Sequence, residues 1–452
     1  MLYVRLQFFS QETFLTNLIL AYVRKDNNIA IATALSGIAS TLLTLGTTTH
    51  KRFAFPIPIK ETSSCNIPNN CQRAKIIKES KIIFIDECSM MHYMLLNCLD
   101  RFLRNLMSNE DKIFGGKLVV LMGDFRQILP VVRGGHRPQI ITATLKTSSL
   151  WTQVTTLSLK ENMRVKRIMG ENPSIEREAK YTNHAKWLLS IGNGTLKPIT
   201  SNIIEIPKQM VCEDSKELRN KVYDDFSNNY KNQEYLSNRA ILSSTNKTVQ
   251  KANWNMVDKD IPGNLKICKS IDSCVEPEHE AIYDEDYLNQ LDPSGMSPHL
   301  LPLKVNCVIM LIRNLDIKKG HCNGTRYIVQ ELNDYWIKAE KLQKNAEHST
   351  FLIPRIPMLS SLQDFTVIFK RLQFPVVVAY YLTFNRAQGQ SLDQCGLDLP
   401  HSVFTHGHLY VGLSRCGDPD KTFVCIDQDE FEHIDGLPSD KIFTRNIVYQ
   451  CN

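Results

Sequence analysis

No stretch of this chain approaches the roughly 20 consecutive apolar residues that a membrane-spanning helix requires. The longest apolar run near the start, Phe14 to Val23, is interrupted by Thr16 and Asn17, so neither an anchor nor a leader is expected. Cysteine is present at 13 positions, but no Cys-x-x-Cys pair occurs. The nearest candidates, Cys65 with Cys71 and Cys268 with Cys274, are spaced too widely for a zinc ribbon, and no zinc is expected. Scattered thiols in odd number fit the cytosol or nucleus better than an oxidising compartment. Charge of one sign is scarce too: 53 Lys and Arg against 47 Asp and Glu leave +6, which permits nucleic-acid binding without arguing for it. With 43% hydrophobic and 8% aromatic residues, disordered, collagen-like and coiled-coil classes are excluded. A globular chain of 452 residues remains, long enough for two or three domains of ordinary size.

Short apolar runs ending in small or acidic residues alternate with segments of helical period, the pattern of a parallel α/β sheet. Ile29 to Thr33 leads into Ser36-Gly37, Ile82 to Ile85 into Asp86-Glu87, and Leu118 to Met122 into Gly123-Asp124. Each run predicts a buried strand whose carboxyl end faces the crevice where open α/β sheets bind ligands. Met90 to Met107 carries apolar residues three and four apart (Met91, Leu95, Leu99, Phe102, Leu103, Leu106), which predicts a helix packed on the sheet. A second α/β region is expected after the polar stretch around Glu171 to Ser174, with strands at Arg239 to Ser243 and Val376 to Phe384. Between them, Leu303 to Phe374 reads as a small all-β insertion with turns at Lys319-Gly320 and Asn323-Gly324. The acidic segment Asp272 to Pro298 reads as a surface excursion.

The strongest chemical element is the strand that delivers two adjacent carboxylates, Asp86 and Glu87. In nucleotide hydrolases the first orients Mg²⁺ and its waters and the second polarises the attacking water; an acidic pair is also an ordinary helix start. About forty residues on, Gly123-Asp124-Phe125-Arg126-Gln127 follows another apolar strand. Gln127 has the chemistry to hydrogen-bond a terminal phosphate or the attacking water, and Phe125 and Arg126 to stack on or pair with a single-stranded backbone; the plain alternative is a strand-to-loop turn. Arg164 and Arg415 are the types that neutralise charge on a transferred phosphoryl group. In Tyr381 to Ser391 a strand runs into polar residues suited to grip phosphate or backbone, Gln388 and Gly389 among them.

These segments, in this order, resemble a superfamily-one DNA helicase of the petite integration frequency type, most closely the helicase portion encoded by Helitron transposons. The match includes Ser36-Gly37-Ile38-Ala39, Thr48 to Phe53, Asp86 to Met91, Gly116 to Pro130, Glu161 to Arg164, Trp187-Leu188 with Ile191 to Gly194, Leu311 to Asn314, Cys322 to Arg326, Gln373 to Pro375, Gln388 to Asp393 and Leu409 to Arg415. The resemblance implies an α/β fold of the P-loop NTPase class. It has two RecA-like parallel-sheet domains, the first at residues 1–170 and the second at 171–302 and 376–452. A small SH3-like β-barrel is inserted at 303–375. It implies ATP and Mg²⁺ as cofactors, and partners that are single-stranded and forked or duplex DNA, with travel from 5′ to 3′. Roles in telomere maintenance, repair of DNA damage and recombination are implied, as is residence in the nucleus or mitochondrion rather than a secreted or membrane location. Carried onto this sequence, Asp86 and Glu87 match the Mg²⁺-binding and catalytic carboxylates, Gln127 the γ-phosphate sensor, and Arg164 and Arg415 the phosphate-binding and finger arginines. Thr13 matches a further Mg²⁺ ligand, and Asp124, Gln388 and Gly389 fall among the nucleotide-binding positions. Gly37, Thr49, His50, Phe125, Arg126, Thr383 and Gln390 match positions that touch the DNA strand. Arg386 stands where the family usually carries Lys.

The chain departs from the family pattern at its start. The family enters its first helix through G-x-x-x-x-G-K-[ST], whose amides cradle the β-phosphate while the lysine reaches the β and γ oxygens. Here only Ser10-Gln11-Glu12 separates the strand end, Leu6 to Phe9, from the helix start at Thr13. No glycine is present, and Glu12 stands where the lysine belongs, an acid that repels a triphosphate. The upstream segment that reads adenine in relatives is likewise missing from the twelve residues before Thr13. Two explanations stand: a short deletion or misjoined coding segment, or decay of the motor. Two functions follow: an ATP-dependent DNA helicase, or a remnant that binds single-stranded DNA without hydrolysing ATP.

Overall fold

In the computed structural model the described residues are all of 1–452 except 7–11, 160–161, 163–164, 167–168, 171–173, 197–201, 281, 294, 343–348, 361–364, 366, 430, 432–433, 435–436, 439 and 451–452. They form two compact units. One comprises Met1–Lys208, Ser402–Pro419 and Gln428–Asn452; the other comprises Gln209–His401 and Asp420–Asp427.

The first unit is built on a six-stranded sheet of β1 (Leu2–Leu6), β2 (Ala30–Ala34), β3 (Thr47–Thr48), β4 (Ile82–Asp86), β5 (Leu118–Gly123) and β6 (Thr155–Leu159), in the order β3-β2-β4-β5-β1-β6. Every pairing is parallel. The near-continuous apolar runs are explained by burial on both faces. Ile83, Ile85, Val119 and Leu121 face one core together with Leu95, Leu99, Phe102 and Leu103 of the helix Tyr93–Met107. Their strand neighbours Phe84, Val120 and Met122 face the other core with Leu20 of the helix Glu12–Lys25. The expected helix from Met90 starts at Tyr93, because Cys88–Met90 closes a 3₁₀ turn first and His92 caps the next helix through its side chain.

The second unit holds a four-stranded parallel sheet ordered Tyr381–Thr383, Arg239–Ser243, Gln394–Leu399, Thr422–Ile426. It also holds a five-stranded antiparallel sheet of Thr350–Pro354, Trp336–Lys341, Arg326–Leu332, Val308–Leu311 and Val376–Val378. The single strand expected over Val376 to Phe384 is therefore two strands, one in each sheet. Asn253, only 3% exposed, explains the break: its Nδ2 donates to the carbonyls of Val378 (3.0 Å) and Tyr381 (2.8 Å), and its Oδ1 accepts from the amides of Tyr380 (3.0 Å) and Tyr381 (2.9 Å). One amide thereby satisfies the backbone where the chain leaves one ladder for the other. Asn253→Ala leaves those groups buried and unpaired, and urea unfolding is expected to show a loss of about 2 to 3 kcal/mol.

The acidic segment from Asp272 is not a surface excursion. Ile271–Cys274 pairs antiparallel with Phe369–Gln373, and Asp272 forms a fully buried ion pair with Arg371 at 2.6 Å. Composition reads an aspartate as solvated; its partner, 99 residues away, is visible only in the fold.

Compactness also divides the chain elsewhere than the expected boundaries. The helices Ile175–Asn193 and His408–Leu413 and the strand pair Ile203–Glu205 with Phe443–Arg445 lie in the first unit. Gly192 permits the helix contact, since a Cβ there would stand 2.8 Å from Tyr410 Cδ2.

Candidate nucleotide and nucleic-acid site

The carboxyl ends of β4 and β5 bring two of the predicted elements together. Gly123 allows it: a Cβ at that position would lie 3.0 Å from both the Cys88 sulfur and the Ser89 amide. Asp86 ends β4 at 7% exposure, and its Oδ1 accepts the Glu87 amide at 2.8 Å. Burial, and next the charge of Glu87, push the Asp86 carboxyl up to about 7, against the pull of that amide. Glu87 sits in the left-handed region at φ 55° and makes no capping bond for the 3₁₀ turn it opens, so the pair does not act as a helix cap. An L-residue held there costs about 1 kcal/mol, the kind of strain that collects at functional sites.

The raised Asp86 value gives a signed prediction. A carboxyl whose folded pKa lies above its unfolded value favours folding only while protonated, so its contribution is lost as pH rises from about 4 through about 7. In metal-free buffer at pH 8, Asp86→Asn is expected to raise stability by at least about 1 kcal/mol, with the gain shrinking toward pH 5. Thermal unfolding of both proteins at the two pH values checks it.

Asp124, at the end of β5, is engaged on both oxygens. Oδ1 accepts from the Arg126 Nε at 2.7 Å and amide at 3.1 Å, and Oδ2 from the Tyr410 hydroxyl at 3.1 Å. Arg126 is 6% exposed, so the structure places these two expected ligand contacts in a buried ion pair. Gln127 is 3% exposed and its Oε1 finds no hydrogen-bond partner among the described residues. A buried amide left so is costly, and no described residue supplies its partner. Arg415, fully buried, donates from Nε to the Val411 carbonyl at 2.8 Å and from Nη2 to the Ser414 hydroxyl at 3.2 Å.

Sequence reasoning overlooked the clamp on this loop. His406 Nε2 donates to the Phe125 carbonyl at 2.8 Å while its Nδ1 accepts the Tyr449 amide at 2.8 Å. Gly407, at φ +75°, lies so close that a Cβ would stand 2.6 Å from the Arg126 carbonyl oxygen. Only the resemblance over Leu409 to Arg415 pointed to this region, and nothing in the residue spacing singled out Tyr410 or His406.

Of the remaining predicted residues, Thr13 is half-buried in the first turn of the helix Glu12–Lys25. Ser10, Gln11 and Arg164 lie outside the described residues, and with them the expected loss of the phosphate cradle; the Glu12 side chain is likewise undescribed. Gly37 opens the helix Gly37–Leu42, capped by Ser36. Thr49 is fully buried and His50 is exposed, its ring edge-on to Phe55 at 5.6 Å. In the second unit Thr383 ends its parallel strand, Gly389 takes φ +76°, and Gln390 Nε2 donates to the Arg386 carbonyl at 3.0 Å. Gln388 is buried, and half-buried Arg386 borders a cavity of about 890 Å³ lined also by Trp254 and Asn246.

A PIF1-like helicase family model matches residues 9–202, and a model of the 2B domain of DNA helicase Pif1 matches residues 286–332. The ATP-dependent DNA helicase Pif1 of Campylobacter jejuni is 26% identical over 431 residues, which cover 90% of this chain and 85% of that protein. The ATP-dependent DNA helicase PIF1 of Homo sapiens is 23% identical over 364 residues, 76% of this chain and 45% of that protein. The chain thus spans less than half the length of its human and rat relatives. The fold is shared with the crystal structure of Pif1 helicase from Candida albicans (TM-score 0.63, 22% identity, 94% of this chain and 91% of that one). It is shared equally with Pif1 helicase from Bacteroides in complex with ADP-AlF3 and ssDNA (TM-score 0.63, 21% identity, 94% and 88%). Both parts of the chain, the parallel-sheet unit with its Asp86-Glu87 pair and the segment running into the antiparallel sheet, thus carry the same signature, and the chain belongs to the PIF1-like helicase family.

Proposed function

We propose that this chain is the motor portion of an ATP-dependent DNA helicase, moving 5′ to 3′ on single-stranded DNA and opening forked or duplex DNA. The observation that carries the reading is the Asp86-Glu87 pair at the end of β4, with its raised proton affinity, beside the β5 end that leads to the unpartnered amide oxygen of Gln127. Two adjacent carboxylates, one of them buried, fit a divalent cation, and a buried amide oxygen fits a water to be aligned. Asp86 and Thr13 would hold Mg²⁺, and bound Mg²⁺-ATP supplies the phosphoryl group whose transfer releases the energy. Glu87 accepts a proton from the attacking water, Gln127 orients that water, and Arg415 with Arg164 offsets negative charge on the phosphoryl oxygens. Gln388 and Gly389 complete the nucleotide contacts. Gly37, Thr49, His50, Phe125, Thr383 and Gln390 follow the strand, with Asp124 and Arg126 holding Phe125 and Gln127 in place. In this reading 1–170 is one RecA-like motor domain, 171–302 with 376–452 the other, and 303–375 the SH3-like insertion.

The relation to Helitron helicases belongs to the same proposal, as do roles in telomere maintenance, repair and recombination and residence in the nucleus or mitochondrion. Among the described residues no helix is long and apolar enough to cross a membrane. A second reading, strand binding without hydrolysis, is favoured by one observation, the acid Glu12 where a lysine would meet the phosphates. ATP hydrolysis with and without single-stranded DNA separates the two.

Both readings require salt-sensitive strand binding. For about four phosphate contacts, raising salt from about 50 to about 200 mM is expected to weaken binding about fiftyfold. Fluorescence anisotropy with a labelled oligonucleotide measures it, and a salt-independent affinity would sink both.

A further inference from the structure

The first unit carries a groove of about 440 Å³ bordered by Tyr3, Phe125, Trp151, Lys146, Asn193 and Tyr449. Its floor is aromatic. The Tyr3 and Phe125 rings lie 5.6 Å apart, Phe125 and Trp151 5.5 Å, and Tyr3 and Trp151 5.1 Å. The Tyr3 hydroxyl donates to the Gly123 carbonyl at 3.0 Å, which ties this ring to the end of β5. Phe125, Trp151 and Tyr449 are each only half-buried.

Among the described residues Asp124 is the one carboxylate in the groove's lining, and it is spent on Arg126 and Tyr410. Lys146 Nζ stands 5.3 Å from the Phe125 ring centre, and exposed Arg137 lies 5.6 Å from that of Tyr449. Ring faces with a cationic rim suit a planar base followed by a phosphate. The larger cavity of the second unit is less suited, since Asp286 and Asp292 stand in its lining.

We propose that this groove seats a nucleobase of a single nucleic-acid strand against Phe125 and Trp151, with Lys146 beside the adjoining phosphate. The inference rests on the reading of the chain as a DNA-binding helicase and extends it to Trp151, Lys146 and Tyr449. A free nucleotide offers the same chemistry, so the test must distinguish strand from mononucleotide.

The full chain is irradiated with an oligonucleotide carrying 5-iododeoxyuridine, and the cross-linked peptides are mapped by mass spectrometry. Cross-links on Phe125, Trp151 or Tyr449 are expected, suppressed by excess unmodified oligonucleotide and not by ADP. Lys146→Gln, a change at a half-buried rim position, is expected to weaken strand binding about fivefold while thermal unfolding stays unchanged. An oligonucleotide that binds yet cross-links only outside the groove overturns the inference and leaves the helicase reading standing. Cross-links lost to ADP make the groove a mononucleotide site and overturn it as well. Absence of any oligonucleotide binding overturns both.

Discussion

Replacing Ser10-Gln11-Glu12 by a glycine-rich, lysine-bearing phosphate loop is expected to raise DNA-stimulated ATP turnover at subsaturating ATP by at least about a hundredfold. The replacement puts a cation at the position of the acid Glu12 and adds glycines, able to form an amide nest, to a segment that has none. Hydrogen bonds to charged groups contribute about 1.5 to 3 kcal/mol each. Two or three of them amount to about 3 to 9 kcal/mol, and each 1.4 kcal/mol is about tenfold in rate. The gain should vanish when Glu87→Gln is added, because an amide there cannot accept the water's proton, the role proposed for Glu87. Strand binding should be the same in all three proteins. Brisk DNA-stimulated turnover by the unaltered chain, abolished by Glu87→Gln, would show that the short segment suffices and that the electrostatic argument against it fails.

The second large effect lies away from the motor chemistry. Arg371→Met is expected to destabilise the second unit by about 3 to 5 kcal/mol, the usual cost of stranding one member of a buried ion pair. Arg371 reaches Asp272 from Nε at 3.0 Å and from Nη2 at 2.6 Å, and it also donates to the carbonyls of Ser297 (3.2 Å) and Leu288 (3.0 Å). One guanidinium thus holds the strand Phe369–Gln373 to three other segments. The paired change Arg371→Met with Asp272→Leu should recover most of the loss, since well-packed apolar replacements of buried pairs are often neutral or stabilising. Urea unfolding of the single and double variants gives the coupling directly; a single variant as stable as the parent would remove the pair from any structural role.

Parallel strands were legible because burial on both faces demands unbroken apolar runs: Ile82 to Ile85 and Leu118 to Met122 are β4 and β5 almost to the residue. The acidic pair was legible for the same reason, since a strand that dives through a core must place its polar residues at its end. The strand expected over Val376 to Phe384 was half right: both pieces are β-structure, but the choice of ladder depends on Asn253, more than 120 residues earlier. Arg126 carried a sound chemical expectation, a cation to pair with a single-stranded backbone, and the fold pairs its guanidinium with Asp124 two residues before it. Residue type shows what a side chain can do, and packing decides whether it is at liberty to do it.

Local pattern therefore settled this protein's class, the ends of its parallel strands and the motif order that marks a helicase, because these follow from short-range periodicity and from chemistry carried by neighbours in the chain. Tertiary structure decided which polar groups are spent on one another and which are buried without such a partner. Asp272 with Arg371 and Asp124 with Tyr410 belong to the first kind, and the Gln127 amide oxygen, without a partner among the described residues, to the second. Hydrogen bonds, ion pairs and ring contacts act over a few ångströms of space without regard to separation along the chain, so no reading of neighbouring residues reveals them.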